Sequence, residues 1–206
     1  MPQGPYGELA SALEGASSRA LVLSALACIH RASAVLVAAG AVDGSDAPFS
    51  EDSLAELGRL DDVGAVLRAV VSRQQGLAAH SADPETGELP EESERAELLA
   101  MASEMVLRAG LDTAVSSLRE WSDFCSSLSG DIAQLLDAMG LPAVEEYGSR
   151  SPSPYEEIAP LPAWEIFTQL EILRIADERD ALSRVSDLST ALRRELATIA
   201  SEAVGD

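Results

Sequence analysis

Apolar residues recur along this chain at intervals of three and four, the signature of helices with one face turned inward. The longest such stretch runs from Pro162 to Val204, about 43 residues with no internal Pro or Gly. Trp164, Phe167, Leu170 and Leu173, then Leu182, Val185, Leu188, Leu192, Leu196 and Ile199, keep helical spacing with charges between them. One unbroken helix of that length would span roughly 64 Å, more than a 206-residue globule measures across. A break is therefore expected at Asp177–Asp180, where the stripe thins and Asp180 can cap a second segment.

The same pattern divides the rest. Met1–Gly7, with two Pro and two Gly, reads as a loose lead-in, and Glu8–Glu14 as one or two helical turns. Ser17 or Ser18 is placed to cap a helix running to about Ala39 and ending at Gly40. Its circumference is almost wholly apolar, interrupted by Ser24, His30, Arg31 and Ser33, so it is expected in the middle of a bundle. After an Asp/Gly/Pro connection, a second helical region starts at Ser50 and stops near His80, before the turn chemistry of Ser81–Gly87. Pro90 starts a third, with Leu98, Met101, Met105, Leu111, Val115, Leu118, Trp121, Phe124 and Leu128 in its row and a kink at Gly110–Asp112. Ser129 or Asp131 then caps a short helix, Ile132–Met139, closed by Gly140.

Leu141–Pro162 breaks the rhythm. It holds five of the ten prolines, Tyr147 and Tyr155, and a near-mirror arrangement, Glu145-Glu146-Tyr147 and Tyr155-Glu156-Glu157. A connection this long tends to be functional or mobile. The expectation is an all-α fold: one domain over residues 1–206, an antiparallel bundle of four main helices plus one to three short ones.

Composition narrows the functional classes. All 14 basic residues are Arg, so the chain is lysine-free, as a GC-rich genome would make it. A net charge of −21 argues against direct nucleic-acid phosphate binding and against adsorption to an anionic membrane surface. It also keeps a protein soluble and steers basic partners. Cys28 and Cys125 lack metal or redox spacing and read as buried reduced thiols in a cytoplasmic protein, with a disulfide as the alternative. Ala20–Ala39 is apolar enough to prompt a targeting check, and Ala32-Ser33-Ala34 has the form of a cleavage site. Glu8 and Glu14 oppose an export signal, and Arg31 at a membrane midplane would cost about 2.5–3.5 kcal/mol. The stretch reads as a core helix.

Candidate chemistry is sparse. There is no GxGxxG, Walker A, HExxH or GxSxG. With only His30 and His80, and no Glu three residues before either, a di-iron bundle cannot be assembled, and the two Cys and two His lack the spacing of a zinc site. The residues therefore give no catalytic, cofactor or metal assignment. The acidic runs 43–62, 83–97 and 145–157 are solvated helix ends and loops, or they converge as an anionic patch. Glu145, Glu146, Tyr147, Tyr155, Glu156 and Glu157 are the candidate partner contacts, because Tyr beside carboxylates supplies area and a hydrogen bond at low entropic cost. The reading is a non-enzymatic acidic helical protein of inhibitor, immunity or adaptor type that binds a basic protein surface. The alternatives are a homodimeric or larger scaffold pairing its long helices, with Trp121/Phe124 and Trp164/Phe167 at the interface, and a helical enzyme or small-molecule binder with a pocket sequence does not reveal.

Overall fold

The structure, a computed structural model, describes residues 4–38, 65–70, 72, 94–108, 113–139, 158–178 and 180–204. Within them the chain is all-α, with seven helices and no strand. These are α1 (Pro5–Gly15), α2 (Ser18–Ala38), α3 (65–70), α4 (Glu94–Leu107), α5 (Val115–Ala138), α6 (Pro160–Ile175) and α7 (Ala181–Val204).

α2 is the axis. Every side chain from Ala20 to Leu36 is buried, as its all-round apolar sequence requires, and α4, α5, α6 and α7 all pack on it. By length and composition it could cross a membrane, but 94% of its most apolar window is buried inside the protein. Its start is fixed by Ser17, whose Oγ accepts the Ala20 backbone N–H at 3.1 Å. This satisfies one of the amides the first turn leaves unpaired. Ser17 Oγ also donates to Asp177 Oδ1 at 2.7 Å, tying that turn to the end of α6.

The expected break in the last long stretch is present: α6 ends at Ile175 and α7 begins at Ala181. α6 runs antiparallel to α2, since Ser17 meets Asp177 while Arg31 meets Glu165. α7 runs parallel to it, Leu182 packing by Leu23 and Ser189 by His30. On α7, Val185, Ser189, Leu192, Leu196 and Ile199 form the buried row, and Leu182 and Leu188 are half-buried. On α6 the anticipated row of Trp164, Phe167, Leu170 and Leu173 is only half-buried. The inner face is instead Leu161, Glu165, Thr168, Gln169, Ile172 and Ile175, because Glu165 is drawn in to neutralise Arg31 and Gln169 to hydrogen-bond Glu165.

Three boundaries differ from the sequence expectation. α1 begins at Pro5, inside the supposed lead-in, because Pro supplies a helical φ at a position that needs no N–H donor. The single helix expected from Pro90 is two, α4 ending at Leu107 and α5 starting at Val115. α5 then runs unbroken through Ser129–Asp131, where a new cap was expected. The Ser129 hydroxyl is bonded to Glu165 and unavailable as a cap. Trp121 Nε1 donates to the Arg108 carbonyl at 2.9 Å, and the Arg108 guanidinium stacks 3.9 Å from the Phe124 ring centroid, stapling the α4–α5 connection to α5. Cys28 and Cys125 are free and buried. The expected helix from Ser50 lies outside the described residues except for 65–70 and 72, and the turn at Ser81–Gly87 lies outside them altogether.

Candidate functional site

A charged pair sits in the middle of the bundle. Arg31 of α2 and Glu165 of α6 are 0% and 1% exposed. They meet in a two-pronged contact, Nε to Oε2 at 3.0 Å and Nη2 to Oε1 at 2.5 Å. Glu165 Oε1 also accepts from Ser129 Oγ at 2.6 Å and from Gln169 Nε2 at 2.8 Å. Burial alone would push the Glu165 carboxyl up, but the Arg31 charge and these donors hold it below the ordinary range, so the pair is ionised. Burial would likewise lower Arg31, and the carboxylate reverses that. Such a pair gains little net stability over apolar residues, yet removing one partner strands the other.

A serine–histidine contact adjoins it. Ser189 Oγ lies 2.9 Å from His30 Nδ1 and 3.2 Å from the Ala27 carbonyl, and accepts from Arg31 Nη1 at 3.4 Å. The arrangement that satisfies all three has Ser189 donating to the carbonyl and His30 Nδ1–H donating to Ser189, leaving Nε2 as the bare acceptor. That Nε2 has no partner among the described residues. Burial, then the nearby Arg193 and Arg31 charges, lower the imidazole to about 3, so it is neutral. Cys28 is pushed up to about 12, chiefly by burial, and stays a thiol. Ser189, His30 and Cys28 are all 1% exposed or less. The serine–histidine pair is therefore enclosed in the core of the bundle.

Through Gln169 and Ser126 the polar chain reaches a surface cavity. Gln169 Oε1 accepts from Ser126 Oγ, and both residues line a cavity of about 300 Å³ between α1, α5 and α6. α1 builds one wall by burying Leu9 and Leu13, one turn apart, which leaves Tyr6 and Ala10 at the opening. α5 supplies Asp123, Ser126, Ser127, Gly130, Asp131 and Gln134, spaced three and four apart on one face. Ile166 and Gln169 of α6 close the back. Next to it is an open groove of about 520 Å³ that shares Ala10, Leu13 and Asp123 and adds Glu14, Arg119 and Glu120. The two share lining residues and form one cleft that carries, among the described residues, four carboxylates (Glu14, Glu120, Asp123, Asp131) and one cation, Arg119. Arg119 Nη2 is held by the Glu14 carbonyl at 3.0 Å, and none of the four acids makes an ion pair with a described residue.

The six residues singled out in the sequence, Glu145, Glu146, Tyr147, Tyr155, Glu156 and Glu157, lie outside the described residues. The cleft residues carried no motif in the sequence. A faint signal existed in the pairing rule: Arg31 inside an apolar helix demands a buried carboxylate, although nothing in the sequence separates Glu165 from Glu171 as that partner. Among the described residues no group of three or more His, Cys, Asp or Glu is placed to hold a metal ion. Compared with protein-family models, with curated proteins and with solved structures, the chain matches none.

Proposed function

We propose that this chain is a non-enzymatic, acidic helical protein that binds a basic partner, and that the α1–α5 cleft is the contact. One observation carries the reading: four exposed carboxylates, Glu14, Glu120, Asp123 and Asp131, border one concave surface without an ion-pair partner among the described residues. Carboxylates gathered in a concavity focus the field of a chain that already carries −21, which speeds encounter with a cationic surface and selects for it. Tyr6, 54% exposed at the rim, adds the aromatic area that protein contacts favour. The buried polar network supports the cleft from behind by fixing how α5 and α6 sit against each other.

The test is fluorescence anisotropy with a labelled eight-residue arginine-rich peptide. Glu120→Arg with Asp123→Arg should weaken binding roughly tenfold or more. Asp187→Arg with Glu202→Arg, an equal charge change on α7, should weaken it far less. Equal losses from both pairs would mean that net charge alone attracts the peptide and would remove the cleft from the account.

A further inference from the structure

Gly130 is out of place by the ordinary rules of helices. It sits inside the 24-residue α5, where Gly is about 0.5–1 kcal/mol less favourable than Ala. Its backbone is not left-handed, and a Cβ built on it would meet nothing within 4 Å. Neither turn geometry nor close packing asks for a glycine here. What the missing side chain preserves is the cavity between α1, α5 and α6, which Gly130 lines. A helical side chain covers the turn before its own Cα. From position 130 it would lie over Ser126 and Ser127, which line the same cavity.

The lining fixes the chemistry of an occupant. Leu9, Leu13 and Ile166 give apolar walls, Asp123 and Asp131 give negative charge, and among the described residues no cationic side chain lines it. At about 300 Å³ the space is at the lower end of ligand pockets, suited to one long side chain. Tyr6 at the opening offers a ring face to a planar cation. We propose that this cavity is the anchor pocket of the cleft and receives one arginine side chain of the basic partner, its stem against the apolar walls and its guanidinium at the carboxylates. This rests on the partner-binding reading above and adds a specific seat to it.

The probe is N-acetyl-arginine amide, titrated into the full-length, isotope-labelled protein and followed by amide chemical shifts. N-acetyl-citrulline amide, uncharged and nearly isosteric, is the control. The expected result is saturable shifts at residues 123–134, with affinity on the order of millimolar, and none from citrulline. Gly130→Leu should weaken the arginine probe roughly tenfold or more at an unchanged or raised melting temperature, while Gly130→Ala weakens it less. Asp131→Asn, an exposed change that fills nothing, should weaken it as well. No saturable shift in the wild-type protein, or equal binding by Gly130→Leu, overturns the anchor pocket. The arginine-rich peptide separates the two levels: if it still binds through the cleft while the single arginine does not, the pocket alone fails, and if neither binds, the partner reading fails with it.

Discussion

At the scale of single residues, the decisive group is Arg31. A guanidinium in the middle of an apolar helix is intolerable without a counter-charge, and Glu165 meets that need with both oxygens engaged. Glu165→Leu should therefore destabilise the protein by about 3–5 kcal/mol in urea unfolding, because it leaves Arg31 buried and unpaired. Arg31→Met with Glu165→Leu should recover most of that loss; a double variant as unstable as the single one would show that the pair is not the main interaction of Glu165. His30 gives a pH signature. Its folded value of about 3 lies below the ordinary 6.5, so the unfolded chain binds the extra proton. Its contribution is complete above pH 6.5 and is lost progressively as pH falls toward 3. Between pH 6.5 and 4.5 that amounts to at most about 2.7 kcal/mol. His30→Leu should flatten this limb of the stability curve, and a limb of unchanged steepness would assign it to the carboxylates. Sequence showed His30 and Arg31 as interruptions in a core helix, but it did not show their partners. Those lie more than 130 residues away, and a contact at that separation leaves no local trace.

At the scale of elements, periodicity and capping located most of the helices. α2 was legible from its capping serine, Ser17 of the two candidates Ser17 and Ser18, through the described residues, because an all-round apolar run admits only a central position. The α6–α7 break was legible because the apolar stripe thins there. The Ser129-Gly130-Asp131 segment was misleading for a physical reason. Ser, Gly and Asp are the residues that cap helices, but here one serves Glu165 and two line a cavity. Gly130→Ala should accordingly stabilise α5 by about 0.5–1 kcal/mol, read as a higher midpoint in urea with unchanged slope. A destabilised variant would mean that the glycine answers a backbone need absent from this helix. That Trp164 and Phe167 are only half-buried has the same origin as the misread: Glu165 and Gln169 took places on the inner face that an apolar row was expected to fill.

At the scale of the whole molecule, the charge was plain in the sequence and its placement was not. Acidic runs were visible, but the carboxylates that border the cleft come from residues 14, 120, 123 and 131, spread over two helices and outside every run. Their convergence depends on α1 docking against α5 through Leu9 and Leu13. The most direct test of the account is hydrogen–deuterium exchange of the full chain, with and without the arginine-rich peptide. The account predicts added protection in residues 5–15 and 119–134, lost on raising the salt concentration as screening requires. Protection absent from both segments while the peptide is bound would contradict it.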